Sequence, residues 1–234
     1  MMRLETAWTS ERSFLIYSTD GPLSAATLRE MTQFLRTMNL AGIRSIIPAP
    51  GGTLVSLHSN RDHTVDPARL LELIEGRLIP SSIESHSAET RLIPICYHES
   101  LGLDMNQIAA HAGCSVDEVI ELHLGRTYSV KSIGFSPGFA YLTEVDERMR
   151  IPRKPSPRTR LRAGSVGIAE EMTAVYPSTG AGGWHIIGAS PCRMFDPHVD
   201  SPSLLGVGDR VRFERIDLDA YEQMVADSKN RQRQ

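Results

Sequence analysis

Cysteine is scarce: Cys96, Cys114 and Cys192 are the only three in 234 residues, far apart and with no Cys-x-x-Cys pair. That excludes a disulfide framework and predicts buried thiols in a reducing compartment. Long apolar runs are missing too, and the opening "MMRLETAWTSER" has no apolar signal core. A cytoplasmic protein with no membrane partner is expected. Neither sign of charge dominates, since 25 Lys and Arg face 28 Asp and Glu for a net charge of -3. Bulk attraction to nucleic acid is therefore not expected, and small molecules or proteins become the natural partners. The eight histidines form no HxH or HExxH, so no metal site is expected. There is likewise no GxSxG elbow and no phosphate-binding loop ending in Gly-Lys-Ser/Thr.

What remains is a globular composition, with 41% hydrophobic and 23% charged residues. The run Phe14 to Tyr17 predicts a buried strand, and Leu28, Met31, Leu35 and Met38 recur at helical spacing from Ala25 to Leu40, with Ser24 as N-cap and Gly42 as stop. "IRSIIP" and "TLVSLH" read as two strands joined by "APGG". Asp66 and Pro67 open a helix carrying Leu70, Leu71, Ile74 and Leu78. This small sheet with helices on one face is expected to end in the polar stretch 81 to 89.

"RLIPICY" then predicts a strand, followed by two short helices. The first has Asp104 as cap with Gln107 reciprocating and Gly113 closing, and the second has a Ser115 and Glu118 capping box closed by Gly125. From Thr127 onward, short β-like runs alternate with Gly and Pro, which predicts a sandwich or barrel with function on its loops. The tail from Lys229 predicts a frayed, solvated end.

Aromatics make up only 6% of the chain, yet "GFSPGFAYL" at 134 to 142 holds three of them among two glycines and a proline. Such a stretch predicts a shaped loop. Arg153, Lys154, Arg158, Arg160 and Arg162 are interleaved with prolines, placing forked permanent charges on a stiff support suited to carboxylate or phosphate. A solvated basic loop is the alternative. His123, at the end of a capped helix, suits either a hydrogen-bonding structural role or proton transfer.

In order, "LH" at 122 to 123, "IGFSPGFAYL", "SPR", "AGSVGIA", "VYP", "GGW" and "GVGDRVRF" resemble the signature of the allophanate hydrolase subunit 1 family. That family includes the B subunit of bacterial ATP-dependent oxoprolinase, the histidine kinase inhibitor KipI and one half of the carboxyltransferase domain of urea carboxylase. The resemblance implies an α+β chain, with a small N-terminal α/β sandwich domain over 1 to 85 and a cyclophilin-like β-barrel over 86 to 234. It implies a homologous C-type partner, related to allophanate hydrolase subunit 2, together with an A-type partner. ATP with Mg is implied as well, bound largely through the homologous partner.

Carried onto this chain, the family's catalytic positions are His123, Arg153 and Arg158. Its substrate-binding positions are Phe135, Pro137, Gly138, Phe139, Tyr141, Ser165, Thr173, Tyr176, Gly182, Gly183 and Trp184. The implied activity is hydrolysis of 5-oxoproline or a related lactam. Inhibition of a sensor kinase and carboxyl transfer to a urea-like substrate are the alternatives. Two stretches depart from the family pattern: Glu170, Glu171 and Met172 replace a Gly-x-Gln, and "STGAGGW" replaces Ser-Pro-Gly-Gly-Trp.

Overall fold

A computed structural model describes residues 3–49, 51–58, 65–76, 90–199 and 201–231. The chain separates into two compact units, Met1–Ala88 and Glu89–Gln234. Leu78 and the stretch 81–89, to which the sequence assigned a helix position and a boundary, lie outside the described residues.

The first unit runs β1 (Leu4–Ser10), β2 (Ser13–Ser18), α1 (Ala25–Thr37), β3 (Ile43–Ala49), β4 (Gly52–Leu57) and α2 (Pro67–Glu75). Its four strands form an antiparallel sheet in the order β1-β2-β4-β3. Phe14, Ile16 and Val55 on the sheet bury against Leu28, Met31 and Leu35 of α1 and against Leu70 and Ile74 of α2. Local chemistry sets the helix starts: Ser24 accepts from the Thr27 N–H, and Asp66 accepts from the Ala68 N–H with Pro67 in the first turn. Helix α1 stops at Thr37, short of the expected Leu40, and Asn39 just beyond it takes a left-handed φ of +44°. Strand β1 was missed by the sequence reading because only Leu4 of its seven residues is fully buried, as befits an edge strand.

The second unit begins with β5 (Arg91–Cys96), α3 (Met105–Ala112), α4 (Val116–Leu124), β6 (Tyr128–Ile133) and β7 (Ala140–Thr143). It continues through β8 (Arg158–Leu161), β9 (Ser165–Ala169), β10 (Met172–Val175), β11 (Gly180–Gly182), β12 (His185–Ala189), β13 (Arg210–Ile216) and α5 (Leu218–Arg231). Seven strands close into a barrel in the order β10-β7-β6-β13-β5-β12-β9, which leaves those strands no free edge. The pair β5 and β13 is parallel, and the other neighbours are antiparallel.

Period-two alternation fills the interior. Ile93, Ile95, Tyr128, Val130, Leu142, Val166, Ile168, Val175, Val211 and Phe213 all bury in one cluster. Each large apolar side chain removed from water in this way stabilises the barrel by about 1.5–3 kcal/mol. The alternate residues of β7, β9, β10 and β12 form a second cluster, to which Leu161 of the two-stranded β8–β11 sheet contributes.

Two further expectations need correction. Only Cys96 is buried, while Cys114 and Cys192 are half-buried, all three as free thiols. The C-terminus is helical through Arg231, where a frayed tail from Lys229 was expected. Tyr221 of this helix buries beside Cys96, Leu101 and Ala189, and that contact, invisible in the polar tail composition, anchors it.

Candidate functional site

The loop "GFSPGF" is built on a β-turn. The Phe139 N–H donates to Ser136 O at 3.0 Å, Pro137 presets the first central position, and Gly138 takes φ +80° at the second. A Cβ at Gly138 would lie 2.7 Å from Phe195 Cβ and 2.8 Å from Met194 O, so glycine is required twice over. Just before the turn, Phe135 is held at φ +65° and is 69% exposed. A large aromatic in the left-handed region, displayed to solvent, costs conformational energy with no burial in return.

Phe135 belongs to an aromatic cluster on the outer wall of the barrel. Phe139, just before β7, and Tyr141 within it turn outward, while Ala140 and Leu142 face the core. Ring centroids are 5.2 Å apart for Phe135 and Phe139, 5.2 Å for Phe139 and Tyr176, 5.5 Å for Phe139 and Trp184, and 5.9 Å for Tyr141 and Trp184. Most contacts are edge-to-face, the favoured geometry for such rings. Gly182 makes room for them, since a Cβ there would come within 2.5 Å of the Tyr176 hydroxyl and 2.6 Å of Leu161. Burial raises the Tyr176 pKa above that of an ordinary tyrosine, and a hydrogen bond from the Trp184 backbone offsets this in part. The wall thus gathers Phe135, Phe139, Tyr141, Tyr176, Gly182 and Trp184 from three separated motifs, with Gly183 next in chain.

The cations sort into different fates. Arg158 makes a bidentate pair with Asp104 at 2.7 and 2.8 Å, and Lys154 Nζ adds a third bond at 2.9 Å. The Ile186 N–H donates to the same carboxylate at 2.8 Å. Asp104 is 2% exposed. Burial pushes its pKa up, but hydrogen bonds from Arg158, Ile186 and Lys154, together with the Arg158 charge, outweigh burial and hold it at about 2. Asp104 was expected to cap α3, yet it makes no side-chain cap bond, and Gln107, its expected partner, accepts from Lys154 at 3.1 Å instead. The second capping box, Ser115 with Glu118, is formed as read.

Arg153 projects from a segment docked on the barrel. The Glu170 N–H donates to Ile151 O at 2.6 Å, His185 Nε2 to Pro152 O at 3.1 Å, and the Lys154 N–H to Gly183 O at 2.8 Å. With three backbone anchors around it, Arg153 remains exposed, 3.9 Å from the Glu170 carboxylate, and its charge works against the burial that raises the Tyr176 pKa.

His123 lies elsewhere, fully buried at the end of α4 and stacked on Phe213 at 4.6 Å. Its Nδ1 is 2.7 Å from the Tyr97 hydroxyl and its Nε2 is 3.1 Å from Thr173 Oγ1. Thr173 donates its own proton to Gly167 O at 3.1 Å. Nε2 must therefore carry the hydrogen that reaches Thr173, and Nδ1 accepts from Tyr97. Both ring nitrogens are satisfied in the neutral state, and burial lowers the His123 pKa to about 3. His123 and Thr173 thus meet each other inside the barrel, away from the aromatic wall. Tyr97 and Asp104 escaped the sequence reading as site residues because their partners lie 26 and about 50 positions away, beyond any local pattern.

A groove of about 750 Å³ lies beside the turn and draws together Pro137, Gly164 and Pro177 from three motifs, with Cys192, Tyr221 and Val225 completing it. Ser165 borders a neighbouring cleft.

A closed seven-stranded barrel with helices packed around it, preceded by a smaller α/β unit, is the carboxyltransferase type of fold. The profile of the carboxyltransferase domain, subdomain C and D, matches residues 4–205, and the chain belongs to that family. This agrees with the resemblance carried by the ordered motifs. The B subunit of 5-oxoprolinase from Bacillus subtilis (strain 168) is 43% identical over 155 residues, a match covering 64% of each chain. The namesake from Escherichia coli O157:H7 is 34% identical over 200 residues, covering 85% of this chain and 90% of that one. Among solved structures, TTHA0988 superposes with a TM-score of 0.75 at 32% identity, over 88% of this chain and 40% of that one. The matches thus span less than two thirds of the B. subtilis protein and of TTHA0988.

Proposed function

We propose that this chain is the B-type member of an ATP-dependent hydrolase that opens 5-oxoproline or a closely related lactam, working in the cytoplasm with a homologous C-type partner and an A-type partner. The observation that carries the reading is the identity of 34% to the B subunit of a 5-oxoprolinase across 85% of the chain. The strained, exposed Phe135 above a buried aromatic wall supports it, because such a surface gains its burial when a partner or substrate covers it.

ATP, with Mg, supplies the phosphoryl group that activates the amide oxygen and is held largely through the partner. Arg153, the exposed cation beside Tyr176, receives the substrate carboxylate, and the aromatic wall excludes water from the amide. Arg158 and His123 are positioning residues: one fixes the Pro-rich segment through Asp104, the other fixes Thr173. In the assembled complex, Arg153→Ala lowers kcat/KM for 5-oxoproline about 10- to 100-fold, the value of one charge-assisted contact. Size-exclusion chromatography checks that the complex persists. Unchanged kinetics in an intact complex would remove Arg153 from the site. A second reading, a carboxyl-transfer half-site, is favoured by the description of the family itself.

A further inference from the structure

Of the five cations in the Pro-rich segment, Lys154 and Arg158 are consumed by Asp104, and Arg153 faces Glu170. Arg160 and Arg162 are different. They flank the buried Leu161, both are exposed, and neither has a carboxylate partner among the described residues. Both line a cleft of about 330 Å³ at the end of β8. Three leucines form its apolar walls, and the lining includes no Asp or Glu, so nothing inside the cleft neutralises the two guanidiniums.

Hydroxyls complete the lining. Ser165, at the start of β9, is only 3% exposed and borders the cleft. Thr179 Oγ1 accepts from the Ala163 N–H at 3.3 Å, which leaves its proton available to a ligand. Ser100 stands opposite, tied to His98 Nδ1 at 2.9 Å.

We infer that this cleft is an oxyanion site for a phosphoryl group, with Arg160 and Arg162 as the charged pair and the Ser165 and Thr179 hydroxyls as the remaining donors. A planar carboxylate is satisfied by one guanidinium fork. Two guanidiniums with hydroxyls from separate elements match the larger number of oxygens on a tetrahedral anion. The site extends the ATP-dependent reading proposed above, placing on this chain a subsite for the phosphoryl group of a nucleotide or for the phosphate it releases.

Calorimetric titration of the full chain, without its partners, tests it with inorganic phosphate, ATP and acetate as separate probes. Saturable binding of phosphate or ATP is expected, weakened about tenfold or more in Arg160→Gln/Arg162→Gln, with acetate not binding. Ser165→Ala should weaken the same probe to a smaller degree. Loss confined to inorganic phosphate would assign the cleft to the released product, and loss for ATP as well would assign it to the nucleotide. Because both arginines are exposed, the double variant should keep the wild-type circular dichroism and melting temperature. The inference is overturned if neither phosphate nor ATP binds saturably, or if the double variant binds them as the wild type does. Phosphate binding by a chain that never supports lactam hydrolysis would leave this site standing while removing the oxoproline reading; hydrolysis without phosphate binding would do the reverse.

Discussion

Glu170 sits at φ +56° in the tight β9–β10 turn, where a side chain is penalised and the family pattern has glycine. Its N–H holds the Arg153 segment and its exposed carboxylate lies near the guanidinium, a pairing worth little in solvent. Glu170→Gly keeps the backbone bond and removes the strain. The variant should therefore be more stable by about 0.5–1 kcal/mol, read as a higher midpoint in urea denaturation. A lower midpoint would show that the side chain, not the backbone, secures the turn. At this scale the sequence was partly legible. Gly138 and Pro137 declared their turn through residue types that few other conformations require. The strain at Phe135 and Glu170 did not show, because neither residue type is chosen for a positive φ.

Helices and their caps show where local chemistry decides and where it is overruled. Ser115 with Glu118 and Asp104 with Gln107 look alike in sequence, and only the first pair forms a capping box. Asp104 is claimed by Arg158 and Lys154, whose charges in a buried setting outcompete a peptide N–H. Helix α4 carries His123 into the barrel, and its titration is a property of that packing. The folded ring stays neutral down to a pKa of about 3, whereas an exposed histidine takes its proton near 6.5. Below pH 6.5 the unfolded chain binds the extra proton, so the contribution of this group is complete above that pH and is lost as pH falls toward 3. The slope is about 1.4 kcal/mol per pH unit. Wild type should lose about 2 kcal/mol more than His123→Gln between pH 6.5 and 5, measured by urea denaturation at each pH. Equal losses would mean that His123 is not held neutral.

Across the whole molecule, the alternation of short β-like runs was enough to expect a sandwich or barrel, because inward residues such as Tyr128 and Val130 or Val211 and Phe213 repeat with period two. Closure into a barrel was implied only by the family resemblance, and the parallel pairing of β5 with β13 from opposite ends of the unit is nonlocal and left no sign in the sequence. The same holds for the candidate site. "GFSPGF", "YPS" and "GGW" each read as a loop, and only the fold brings Phe135, Tyr176 and Trp184 onto one wall. The run of arginines was legible as anion-binding chemistry, but which cations Asp104 would neutralise, and which would be left facing the Ser165 cleft, depended on packing.

The most direct measurement of the central claim follows glutamate release from 5-oxoproline by this chain assembled with its C-type and A-type partners, with ATP consumption recorded in the same reaction. The account predicts glutamate formed in step with ATP hydrolysis, with neither product appearing when this chain is omitted. An intact complex that consumes no ATP in response to 5-oxoproline and releases no glutamate would contradict it.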